Sequence, residues 1–293
     1  MTIFRCIVLI FSLFLSVASP AFASFIVPNT TMVEIEDSDR TYSLYIKLPN
    51  SYNQVDKLKH YPVIYMTDAM YSFQIVSGAT RFPMNNAVMQ QAILVGVSWQ
   101  QGKSPAVSRI RDYTPSVDQS WKRSTGDAER HMQLFANKII PYMNKHYRTQ
   151  TAKNTFVGNS LGGLFGAYVL RTKPELFKNY VLGSPSLWFD HKQLLKQFRD
   201  QQYLSQVVNA NVFIGIGELE TAALTDFGHD MVLDAKDFQQ LLQQKNRLSS
   251  GEGQGINTKL MVIPEANHSM AFPTTAIHGL SWLFDLKKGV VFN

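Results

Sequence analysis

The stretch Thr155-Phe156-Val157-Gly158-Asn159-Ser160-Leu161-Gly162-Gly163-Leu164-Phe165-Gly166 runs from an apolar segment into a glycine-flanked serine and straight on into a helical pattern. A strand that stops abruptly and a helix that starts at once leave Ser160 at a strained apex, its hydroxyl projecting from both elements. Glycines two residues before and two after remove side chains that would otherwise collide there. The amide of Leu161, at the positive end of the new helix, points to where negative charge develops on an attacked carbonyl. A Gly-x-Ser-x-Gly pattern also occurs in plain structural turns. The apolar Asn154 to Val157 before it and the helical Leu161 to Leu170 after it favour a nucleophile elbow.

Outward from this apex, the rest of the chain reads as the scaffold such an elbow needs. Thr31 to Glu36 and Tyr42 to Leu48 alternate apolar and polar residues around Asp37-Ser38-Asp39-Arg40, which is turn chemistry, so they form a hairpin at one sheet edge. Tyr61 to Thr67 and Ala92 to Ser98 are nearly continuous apolar runs, the pattern of strands covered on both faces. Met84 to Gln91 is the expected crossover helix between them. Tyr180 to Leu182, Val212 to Ile216 and Lys259 to Ile263 supply further buried strands. Helical spacing covers Ala128 to Tyr147, with a kink expected at Pro141, as well as Lys192 to Phe198, Met231 to Lys245 and Thr274 to Leu286. A hairpin followed by alternating strands and helices predicts an α/β fold, a mostly parallel, doubly wound sheet in a single domain. Gln100 to Gly126 breaks every period with charges, Pro105 and Pro115, and is expected to be a long active-site loop.

The N-terminus carries an address. Met1 to Ala23 has one basic residue, Arg5, an apolar run Ile7 to Val17, and Ala21-Phe22-Ala23 before Ser24. That is a secretory signal peptide with an Ala-x-Ala cleavage site, its apolar core too short for a membrane span. Removal leaves residues 24–293 as the mature domain, periplasmic or secreted from a bacterium, without stable membrane insertion. Cys6 is the chain's single cysteine. The mature chain therefore lacks disulfides, a thiol nucleophile and thiolate metal ligands. The net charge of +6, falling to +5 without Arg5, is spread along the chain with no Lys/Arg tract, which argues against a nucleic-acid partner.

A serine hydroxyl at neutral pH needs a base within hydrogen-bond reach and a group to orient that base. Of seven histidines, His60 stands next to a strand start, and His131, His146, His191, His229 and His278 fall on or beside helical patterns. His268 lies on a loop just past the last strand, where parallel sheets place their sites. The acid is expected between Ser160 and His268, and Ile216-Gly217-Glu218-Leu219-Glu220 offers two carboxylates. Glu220, with a turn between strand and acid, is preferred; Glu218 stays the alternative. The second oxyanion donor falls in Thr67-Asp68-Ala69-Met70-Tyr71, at the amide of Met70, beside that of Leu161.

Taken together, YPVIYMTDAM (61–70), Arg111-Asp112-Tyr113-Thr114-Pro115, GNSLGG (158–163), Gly183-Ser184-Pro185-Ser186-Leu187-Trp188, Gly217 to Glu220 and Asn267-His268-Ser269 resemble one group of esterases within the α/β-hydrolase superfamily. That group includes esterase D-like enzymes, feruloyl esterases, mycolyl-transferases and siderophore-ester hydrolases. The resemblance covers nearly all the mature chain and implies the α/β-hydrolase fold, with Ser160 as nucleophile and His268 as base. Some siderophore-ester hydrolases work with a Ser/His dyad, and this chain has Ala69 where the group usually has Gly. The resemblance also implies that Arg111, Asp112 and Tyr113 border the substrate and that Trp188 lines the pocket.

The function expected is a serine hydrolase that cleaves small-molecule carboxylic esters through an acyl-enzyme, siderophore trilactones or aryl-acyl esters among them. No metal or organic cofactor is implied. The rival readings are an acyltransferase of the same fold and a non-catalytic binding module.

Overall fold

The computed structural model describes residues 27–54, 57–200, 203, 208–224, 228–248 and 255–285; the signal-peptide expectation for Met1 to Ala23 lies outside them. One eight-stranded sheet organises the chain, in the order β1-β2-β4-β3-β5-β6-β7-β8. Strands β1 (Thr30–Asp37) and β2 (Arg40–Lys47) form the hairpin at one edge. Their turn places Ser38 at φ 55°. β2 runs antiparallel to β4 (Ile93–Gln100). From β4 onward every pairing is parallel, through β3 (Val63–Met66), β5 (Thr155–Asn159), β6 (Asn179–Gly183), β7 (Ala210–Gly217) and β8 (Ile256–Ile263).

The continuous apolar runs become the strands buried on both faces. Side chains alternate across a strand, so Ile64 and Met66 pack to one side with Val157, Val181 and Phe213, against α1 (Ala69–Asn85) and α8 (Ala271–Phe284). Val63, Tyr65, Phe156, Tyr180, Val212 and Ile214 face the other side. That side is covered by α2 (Pro105–Tyr113), α3 (Ala128–Leu134), α4 (Ile140–His146), α5 (Leu161–Thr172), α6 (Phe189–Phe198) and α7 (Met231–Leu248). Helices on both faces of a mostly parallel sheet make this a doubly wound α/β-hydrolase fold. Among the described residues no helix is long and apolar enough to cross a membrane.

Three local expectations change. The crossover from β3 to β4 is α1, over Ala69–Asn85, and Met84 to Gln91 holds only its last residues and the turn after it. Ser72, Ser77 and Thr80 are buried in α1, so its inner face is too polar to show an apolar period. The stretch 100–126 is not wholly irregular: Ser104 caps α2 by accepting the Val107 amide, and Pro105 opens the helix, where a missing N–H costs nothing. The expected kink at Pro141 takes the form of a π-helical turn, Phe135–Ile139, joining α3 to α4 just ahead of it. A wider turn accommodates a ring that cannot donate to the helical ladder.

Candidate active site

Four neighbouring strands, β5 to β8, deliver the site from their C-terminal ends, where open α/β sheets bind ligands. Ser160 stands between β5 and α5 at φ 59°, ψ −119°, a strained conformation for a residue with a side chain. Its amide donates to the Gly183 carbonyl at 2.8 Å, tying the apex to β6. A Cβ on Gly158 would lie 2.3 Å from the Gly162 carbonyl oxygen, and one on Gly162 would lie 2.5 Å from Thr67 Oγ1. Both glycines are therefore dictated by close approach of backbone and neighbour.

His268, on the loop after β8, brings Nε2 to 3.0 Å from Ser160 Oγ. Its Nδ1 lies 2.6 Å from Glu220 Oε2. A carboxylate only accepts, so Nδ1 carries the proton and Nε2 is left as acceptor for the serine hydroxyl. Glu220 is fully buried, at 0 % exposure. Its other oxygen, Oε1, accepts from Ser184 Oγ at 2.6 Å and from the Gly217 amide at 2.8 Å. Both carboxylate oxygens are thus satisfied, as a buried charge requires. Glu218 turns outward, where its Oε2 accepts the Glu265 amide at 3.0 Å. Of the two carboxylates, only Glu220 reaches the imidazole.

The relay opens on a cavity of about 340 Å³ lined by Arg109, Trp121, Leu161, Trp188, His229 and Met231, among others. Trp188 is stacked with two rings, parallel to His229 at 4.3 Å and 9° and to Trp121 at 6.2 Å and 13°. Arg109 brings the cationic group. Burial works against its charge, but the Asp68 carboxylate outweighs that and raises its pKa.

The resemblance-based pocket residues divide. Trp188 lines the cavity, beside the expected oxyanion residue Leu161; Arg111, Asp112 and Tyr113 are not among its walls. Asp112 is 1 % exposed and accepts from Arg111, Arg40, Tyr42 and Ser108. Tyr113 is also buried, its hydroxyl accepting the Asp68 amide at 3.3 Å. These three brace α2 from behind, and the residues just before them, Arg109 and Ile110, face the cavity instead. Met70 sits in the first turn of α1, and its side chain opens on a separate cleft with Met32, Tyr45 and Phe73. Sequence reasoning missed Arg109, Trp121, Ser186 and His229. The Ser104-Pro105 helix start was the one signal that would have set the facing of Arg109.

Comparison with known proteins gives the family and the fold. The family model described as "Putative esterase" matches residues 35–264. The chain belongs to this esterase family. The family member is an ester hydrolase of the α/β-hydrolase superfamily. It is 30% identical over 215 residues to the ferri-bacillibactin esterase BesA of Bacillus subtilis (strain 168), covering 67% of this chain and 73% of that protein. The crystal structure of the BES protein from Bacillus cereus superposes with a TM-score of 0.75 at 26% identity, over 90% of this chain and 98% of that one. An IroE-like serine hydrolase from Shewanella oneidensis has the same fold, with a TM-score of 0.72 at 22% identity over 87% of this chain and 80% of that one.

Proposed function

We propose that this esterase is a serine hydrolase working through an acyl-enzyme, with Ser160 as nucleophile, His268 as general base and then acid, and Glu220 as the group that orients His268. The observation that carries this is the unbroken chain Ser160 Oγ to His268 Nε2 at 3.0 Å and His268 Nδ1 to Glu220 Oε2 at 2.6 Å. Ser160 attacks the ester carbonyl as its proton passes to Nε2, and the buried carboxylate stabilises the imidazolium that forms. The tetrahedral oxyanion is received by the Leu161 amide at the start of α5, with the Met70 amide as second donor; each such donor contributes roughly 3 kcal/mol. His268 then protonates the leaving alcohol, and water, activated by the same ring, releases the acid.

The substrate is a small ester with an aryl-acyl part, of the siderophore trilactone kind. The ferri-bacillibactin esterase of Bacillus subtilis supports this by similarity, as do the parallel rings of Trp121, Trp188 and His229 and the cation of Arg109 in the cavity. Flat rings stack on flat rings, and a guanidinium pairs with anionic oxygens. The leader-like sequence Met1 to Ala23 supports a location in the periplasm or outside the cell.

Labelling with a fluorophosphonate probe tests the nucleophile. Intact mass should rise in the wild type and stay unchanged in Ser160→Ala. Labelling that survives Ser160→Ala, or a folded wild type that does not label, overturns the reading.

A further inference from the structure

We propose that Ser184-Pro185-Ser186, the turn between β6 and α6, braces both ends of the relay at once, with Ser184 as the positioning residue of Glu220. This rests on the reading of Ser160, His268 and Glu220 given above. Ser184 is fully buried and held at φ 37°, backbone space that disfavours every residue but glycine. What serine supplies there and glycine does not is a hydroxyl, which donates to Glu220 Oε1 at 2.6 Å. Its amide donates to the Gly215 carbonyl at 2.7 Å, fixing the hydroxyl relative to β7, the strand that leads into the turn bearing Glu220.

Two residues later, Ser186 grips the other end. Its amide donates to the Ser160 carbonyl at 3.1 Å, and its hydroxyl lies 3.3 Å from Ser160 Oγ. With the Ser160 hydroxyl donating to His268, Ser186 is the donor of that pair. Pro185 stiffens the link and packs on α5: a Cβ on Gly163 would lie 3.0 Å from Pro185 Cα. One tripeptide thus holds the acid and the nucleophile, which approach His268 from opposite sides.

The consequence is electrostatic as well as geometric. The groups facing the Glu220 carboxylate are His268, the Ser184 hydroxyl and the Gly217 amide, while Glu218 points outward and Arg109 and His229 share the cavity. A donor to the ionised form lowers proton affinity. Its removal leaves more of the carboxylate's charge to be met by the imidazolium, so the coupled Glu220–His268 pair holds its proton to higher pH.

Steady-state hydrolysis of a p-nitrophenyl ester across pH tests this with Ser184→Ala and Ser184→Gly. Glycine relieves the backbone at φ 37°, so that variant keeps the fold even if alanine does not. Both should lower kcat about tenfold with KM within about twofold, and move the acid limb of kcat/KM up by about half a pH unit or more. A merely structural serine would change the amplitude and leave the limb in place; an unmoved limb with wild-type kcat in the folded Gly variant overturns the proposal. Fluorophosphonate labelling of the wild type distinguishes the two failures. A labelled wild type with an indifferent Ser184 sinks only the brace, whereas an unlabelled wild type sinks the reading beneath it.

Discussion

Asp68 and Arg109 are joined by two hydrogen bonds of 3.1 Å each, Nε to Oδ1 and Nη2 to Oδ2, which lock the start of α1 to the cavity wall of α2. Asp68 also accepts the Trp99 indole at 2.5 Å and is itself held at φ 53°. The bidentate pair therefore fixes the loop expected to offer the second oxyanion amide. Arg109→Ala leaves the largely buried Asp68 charge without its cationic partner, and with Arg109 only about a quarter exposed it should cost about 2–3 kcal/mol of stability in urea unfolding. Arg109→Lys should restore only part of it, because an ammonium cannot form the fork.

Substitution at the two neighbouring carboxylates separates them. Glu220→Gln should reduce kcat roughly 10²- to 10⁴-fold, since the amide either donates to Nδ1 or imposes the wrong tautomer. Glu218→Gln, on the outward face beside Glu265, should stay within about threefold. Comparable losses in both variants would contradict the assignment.

Trp188 lines the cavity and runs parallel to the rings of His229 and Trp121. Trp188→Ala should raise KM about tenfold for aryl-acyl esters, the worth of one good stacking contact, and much less for short alkyl esters of the same alcohol. Equal effects on the two series would exclude ring stacking as the basis of selectivity.

His131 is buried among Tyr42, Tyr113, Phe135 and Phe165, and neither ring nitrogen has a hydrogen-bond partner among the described residues. Burial is the main cause holding its pKa below the ordinary value. As pH falls through about 6.5 the unfolded chain takes up this proton while the folded chain does not, so stability falls with falling pH down to the folded pKa. Thermal unfolding of His131→Phe should show a smaller loss between about pH 6.5 and 5 than the wild type. Parallel curves would show that other groups set the acid limb.

What could be read from the chain followed the range of the interactions that fix it. The elbow at Ser160 is local, built from glycines within two residues, and strands β3 to β7 announce themselves because both faces are apolar. His268 was legible from its place after the last strand. The choice between Glu218 and Glu220 was legible only as a preference for Glu220, because it depends on which carboxylate meets Ser184, thirty-six positions away. Arg111 and Asp112 turned inward for a similar reason: their partners Arg40 and Tyr42 come from the distant hairpin. α2 stayed hidden because its buried face is carried by Ser108, Asp112 and Tyr113, a mixture that gives no hydrophobic period.

The chain has four tryptophans, and two of them, Trp121 and Trp188, line the cavity, while Trp99 donates to Asp68, the partner of Arg109 in its wall. Only Trp282 packs away from it, against Phe213. Half of the tryptophans that dominate the protein's ultraviolet emission therefore stand in the cavity proposed to take the substrate. A ligand that enters will report its arrival, and its departure as product, as a change in native fluorescence, without a dye or a chromogenic leaving group.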